Sequence, residues 1–208
     1  MSKNERKKVQ PVMRQNDGIA MGVKKTIEMR PDGQSVVAVS IDFTTAPVPD
    51  RKYVADIASV IGDGHSIKLL FGQNKLPKGL RSLLVVDMSP SAITKFVTTI
   101  SEVNNPSYRD IAELTQLSAP KLTEITDEPD QTVAFKANII SSAASGEDAC
   151  IDFYYISPFA MRDLATNDKV SIDPVVRVDI QVNLFVSLLE ELERVVKKYP
   201  QLKEYGHG

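Results

Sequence analysis

Two stretches of this chain, 53–103 and 135–195, carry one pattern written twice, and no other feature restricts the possible folds as much. Ala55-Asp-Ile-Ala-Ser59-Val-Ile-Gly-Asp-Gly64 is matched by Ala137-Asn-Ile-Ile-Ser141-Ser-Ala-Ala-Ser-Gly146, with alanine, isoleucine, serine and glycine in register at a constant offset of 82. A second apolar run follows in each copy, Ser66-Ile-Lys-Leu-Leu-Phe71 and Cys150-Ile-Asp-Phe-Tyr-Tyr155, at an offset of 84. Leu84-Val-Val-Asp87-Met88 then matches Val176-Arg-Val-Asp179-Ile180 at an offset of 92, and each leads into an amphipathic segment. A period of this length is too long for a solenoid and fits a duplicated small domain. The expected fold is α+β: two tandem β-β-β-α modules related by a pseudo-twofold axis, with antiparallel sheets and the helices packed on them.

The organisation follows from that pattern. Residues 1–34 are polar, begin basic and hold Pro11, Gly18, Gly22, Pro31 and Gly33 without a sustained period, so they read as a flexible N-terminal arm. The first module, 35–103, has a leading strand with Val37, Val39, Ile41 and Phe43 on one face. Strand Lys52–Ile61, a glycine hairpin turn, strand Ser66–Phe71 and strand Ser82–Met88 come next. Ser89-Pro90 then offers an N-cap and a proline at the first helical position. Ala92, Ile93, Phe96, Val97, Ile100 and Val103 recur at helical spacing behind it. Residues 104–131 read as a linker with a short helix over 107–114, Ile111 and Leu114 facing inward. The second module, 132–199, repeats the order with strands Thr132–Ser142, Ala149–Ile156 and Val175–Ile180 and a helix Val182–Lys198, before a tail at 200–208.

Composition closes off several functions. Net charge is only −2 over 208 residues, tryptophan is absent and aromatic residues make up 6%, so nucleic acid is an improbable partner for the body. The cluster Lys3, Arg6, Lys7 and Lys8 leaves an alternative in which the arm touches phosphate. No apolar run approaches the roughly 20 residues that span a bilayer, and nothing apolar follows the basic start as in a secretory signal. A single cysteine, Cys150, permits no internal disulfide and suits a reducing cytoplasm.

Catalytic constellations are equally sparse. The two histidines, His65 in a hairpin turn and His207 in the tail, give neither a general base nor a zinc site. Gly62-Asp63-Gly64 lies between strands and lacks the third glycine of a phosphate loop. Asp87 and Asp179 occupy equivalent places and are weak candidates for a metal site or a shared proton, although an acid beside a helix N-terminus is explained as well by the helix dipole. Cys150 reads as a small buried hydrophobe. No cofactor is implied. What remains is surface: the edges Val37–Phe43 and Val133, Phe135, Ala137, Ile139, and the set Phe153, Tyr154, Tyr155, Phe159 and Met161. Part of that set belongs to the core, and any exposed remainder would form a peptide-binding or oligomer patch.

The run Tyr53-Val-Ala-Asp-Ile-Ala, then Ile67-Lys-Leu-Leu-Phe71-Gly, then Leu84-Val-Val-Asp-Met-Ser-Pro-Ser-Ala92 and a helix resembles a small bacterial family, domain-of-unknown-function family 3467. The likeness covers about 53–103; the second copy departs from it where Gln181-Val182 stands in place of Ser89-Pro90. More distantly, Val39-Ser-Ile-Asp-Phe-Thr-Thr-Ala-Pro47 and the hairpin-rich sheet with a helix layer are similar to the SecB-like chaperone fold. The resemblance implies a bacterial cytosolic setting and a scaffolding or chaperone-like role. The functional expectation is a non-enzymatic binding protein that forms homo-oligomers and engages polypeptide through sheet edges or an apolar groove. An enzyme or small-ligand binder using Asp87 and Asp179 is the alternative.

Overall fold

The computed structural model describes residues 19–29, 33–62, 65–74, 79–103, 108–116, 120, 122, 132–163 and 169–198. In chain order the elements are β1 (Ile19–Met29), β2 (Ser35–Ile41), a 3₁₀ turn (Phe43–Thr45), β3 (Lys52–Val54), β4 (Ile57–Gly62), β5 (Ile67–Asn74), β6 (Leu80–Met88), α1 (Pro90–Val103), α2 (Tyr108–Leu114), β7 (Val133–Ala137), β8 (Ile139–Ser145), β9 (Asp148–Tyr155), α3 (Pro158–Asp163), β10 (Lys169–Gln181) and α4 (Val182–Lys198). Among these, one sheet runs β2-β1-β10-β9-β8 with β3 also on β10, and a second runs β4-β5-β6-β7. The chain is an α+β protein.

Three expectations about the strands are corrected. Residues 19–29, placed in a structureless arm, form β1. Its own pattern is broken by Gly22 and Lys24-Lys25, and its hydrogen-bond partners come from afar: Ile19–Gly22 pair with Lys169–Ile172, and Val23–Met29 with Ser35–Ile41. The sheets are not purely antiparallel, since β3 runs parallel to β10 and β7 parallel to β6. Each short strand pairs away from the hairpin that follows it in the chain, β3 on β10 and β7 on β6. The strands expected at 52–61 and 132–142 are each broken in two, at Asp56 and at Asn138. There the side chain takes over the bonding: Asp56 Oδ1 accepts from Asn74 N at 2.8 Å, and Asn138 Oδ1 accepts from Ile156 N at 2.8 Å.

The inner faces of both sheets share one core. Leu69, Phe71, Leu84 and Val86 from the smaller sheet meet Ile151, Phe153, Val176 and Val178 from the larger, with the Phe71 and Phe153 rings 6.0 Å apart and edge-on. Each such side chain contributes about 1.5–3 kcal/mol on burial. The helices seal this core crosswise: α1 follows β6 yet packs on β8, and α4 follows β10 yet packs also on β4. Ser89 caps α1, its Oγ accepting from Ala92 N at 3.3 Å, and Ile93, Phe96 and Val97 face inward. In α4 the line Leu184, Leu188, Leu192, Val195 is buried. Tyr108 of α2 sets its ring edge-on against Phe185 at 4.7 Å, and its hydroxyl donates to Ser142 O at 3.2 Å. With Tyr108 and Ala112 facing α4, Leu114 falls two residues round the helix and is 82% exposed, not inward as its spacing suggested. Among the described residues no helix is long and apolar enough to cross a membrane.

Candidate functional site

Strand β9 is covered on both sides, which sorts the aromatic set. Its odd residues, Ile151 and Phe153, enter the shared core; Tyr154 points the other way into a smaller cluster with Met21, Ile156, Val170 and Ile172, closed by the Phe43 ring at 5.5 Å. Phe153 and Tyr154 are therefore structural. Tyr155 is half-buried, and the exposed remainder is Phe159 and Met161 on α3, at 72% and 51%.

Helix α3 forms where Ser157-Pro158 can begin a turn: Ser157 Oγ accepts from Ala160 N at 3.1 Å and its carbonyl from Met161 N at 3.0 Å. The Arg162 guanidinium lies over the Phe159 ring at 5.7 Å. Between this helix and the β7–β8 break is a groove of about 460 Å³. Tyr155, Ile156, Pro158 and Met161 make one wall, and Lys136, Ala137 and Asn138 the other, with Ser89 at one end. The Asn138 amide is already committed, its Nδ2 donating to Ile156 O at 2.8 Å, so it shapes the wall instead of offering a ligand bond. The lining is thus largely apolar, with Lys136 its one charged residue and Ser89 and Tyr155 its hydroxyl-bearing ones. Of the surface residues singled out in the sequence, Ala137, Tyr155 and Met161 line it and Phe159 stands beside it. Nothing local marks Lys136, and Ser89 is marked only as the N-cap of α1, because the groove exists only once β7 lies along β6.

The two candidate acids stand in different sheets. Asp87 is opposite Lys68 and Lys136, and Asp179 opposite Cys150 and Val54. Among the described residues no group of three or more His, Cys, Asp or Glu side chains could hold a metal ion. His65 is exposed in its turn. His207 and the basic cluster at 3–8 lie outside the described residues.

One polar cluster had no forerunner in the sequence reading. Across β9 and β10, Arg177 Nε and Nη2 each donate to Asp152 at 2.6 Å, a bidentate pair with side chains 22% and 11% exposed. The Tyr154 hydroxyl donates to Asp152 at 3.4 Å. Burial, followed by the Asp152 charge, pushes the Tyr154 phenol up to about 12, and the carboxylate bond holds Arg177 firmly protonated. Burial also pushes the Cys150 thiol up, against the opposing pull of Arg177. A buried, fully paired ion bridge and a thiol made less reactive describe a structural network, not a nucleophile with its base.

This chain matches no family model, no curated protein and no solved structure.

Proposed function

We propose that the protein is a non-enzymatic binding module that takes an apolar polypeptide segment into the groove between α3 and the β7–β8 break. The observation that carries this is the exposure of Phe159 and Met161 on a six-residue helix that flanks a groove with largely apolar walls. Large apolar side chains held in solvent beside a concavity are the usual mark of an interaction site. A methionine adapts its shape to different partners, and Lys136 would favour a segment with an acidic residue or a free carboxylate.

The same proposal reads the architecture as a duplicated, SecB-like pair of β-β-β-α units, cytosolic and bacterial, akin to domain-of-unknown-function family 3467. Its support is the pairing register. Tyr53 opposite Val178 and Phe135 opposite Val86 are the same contact after shifts of 82 and 92, with the partner strand exchanged. Asp56 with Asn74 and Asn138 with Ile156 are likewise one hydrogen bond displaced by 82 at both ends, the pairing register relating β5 to β9 by 82 and not by the 84 of their sequence match. The kinship with the family rests on β6 leading through Ser89-Pro90 into α1.

Fluorescence anisotropy of a labelled, permanently unfolded polypeptide tests the groove. Met161→Ser with Phe159→Ser should weaken binding at least tenfold, the effect of losing about 1.4 kcal/mol of apolar contact. Leu114→Ser, an equally exposed site away from the groove, should leave it unchanged. Absence of binding at 100-fold excess of protein, or equal loss in both variants, overturns the reading.

A further inference from the structure

Beyond Gly22, β1 leaves β10, and among the described residues Val23–Met29 pairs only with Ser35–Ile41. Among the described residues no strand borders the other edge of β2. A two-stranded ribbon is marginal in water by itself, and a third strand is what normally makes it persist. This ribbon also carries Ile27 and Met29, 77% and 74% exposed. Natural edge strands discourage pairing with charges, proline, bulges or brevity. Strand β2 has none of these: its seven residues Ser-Val-Val-Ala-Val-Ser-Ile are uncharged, lack proline and keep an unbroken register with β1. The ribbon's charges, Lys24, Lys25 and Glu28, all belong to β1, away from the outer edge.

The sequence of the edge also suits one partner above others. Laid antiparallel on itself, Ser35-Val-Val-Ala-Val-Ser40 places serine opposite serine, Val36 opposite Val39 and Val37 opposite Ala38, so both halves of the contact are the same. That self-complementarity is what an isologous twofold interface requires. We infer that β2 is a dimerisation edge for a second copy of this chain, the two strands pairing antiparallel about a twofold axis between Val37 and Ala38. The two ribbons thereby become a continuous four-stranded sheet linking the larger sheets of both protomers. This goes beyond the groove reading and does not depend on it.

Sedimentation equilibrium on the full chain tests the edge. The natural chain should have twice its monomer mass. Ser35→Lys/Ser40→Lys sets lysine opposite lysine at both ends of the contact and should weaken the dimer at least tenfold. Ser35→Lys/Ser40→Glu puts the same bulk at the same exposed positions but opposes unlike charges, so the dimer should persist. A monomer at all concentrations overturns the inference, and so does occupation of the edge by the chain's own residues 1–18, which leaves a monomer. A dimer insensitive to both variants, which places the contact elsewhere, overturns it too. Phe159→Ser/Met161→Ser should leave the mass unchanged, so loss of polypeptide binding and loss of the dimer are read separately.

Discussion

Replacing Asp152 by leucine should cost about 3 kcal/mol, while replacing Asp152 and Arg177 together should cost far less. The carboxylate is bound at both oxygens, 2.6 Å from Nε and 2.6 Å from Nη2, in a pair whose side chains are 11% and 22% exposed. Removing one member of such a pair leaves the other charge buried without compensation, a loss of about 3–5 kcal/mol. Partial access of Arg177 to water places it at the lower end. The smaller sheet supplies the apolar alternative: Leu70 and Val85 stand opposite each other across β5 and β6 where Asp152 and Arg177 stand across β9 and β10, and they are 0% and 1% exposed. In Asp152→Leu/Arg177→Val the desolvation cost of both ions disappears, and the main debit is the Tyr154 hydroxyl losing its acceptor, about 1 kcal/mol. Urea unfolding followed by far-ultraviolet circular dichroism gives all four corners of the cycle. A single-variant loss under about 1 kcal/mol, or a double variant equal to the sum of the singles, would refute the argument.

Two further outcomes follow from other sites. Tyrosine ordinarily ionises near 10, and Tyr154 is pushed up to about 12 by burial and by Asp152. A raised phenol favours the folded state below pH about 10 and loses that contribution as pH climbs to about 12; absorbance at 295 nm should therefore show one late-titrating tyrosine that Tyr154→Phe removes, and a single merged titration argues against it. Asn138→Ala deletes two hydrogen bonds of 2.8 Å to Ile156 at a half-buried strand break and should cost about 2 kcal/mol, whereas Asp56→Ala, with one bond at an exposed position, should cost under half of that; thermal melts that rank them the other way contradict the role given to Asn138.

What could be read from the residues was whatever is encoded locally. The Ser89-Pro90 start of α1, the apolar stripe of α4 and the apolar runs of β5 and β9 depend on neighbours within a few positions, and all lie where the pattern put them. The misread elements depend on remote partners. Strand β1 has an ambiguous pattern of its own and becomes a strand because β10 and β2 flank it; Asp56 and Asn138 look like ordinary strand residues until Asn74 and Ile156 arrive. The aromatic set was half legible. Its division into core and surface turned on whether β9 is covered on one face or two, and the second cover is Phe43 and Met21, more than 100 residues away in sequence.

The crossing of β3 and β7 has a consequence for how the molecule comes into being. Tyr53 waits for Val178, about 125 residues downstream, while Phe135 must find Val86, already made. The first half emerging from synthesis therefore has an unfilled place beside β6 until β7 follows and a strand, β3, with nowhere to lie until β10 is complete. The smaller sheet closes once β7 is made and the larger only after β10, so loop closure over long distances sets the pace, and assembly is slow and late. Once closed, β3 runs directly into β4 of the other sheet and β7 into β8, and both sheets share one core, so the two halves should unfold as one cooperative unit.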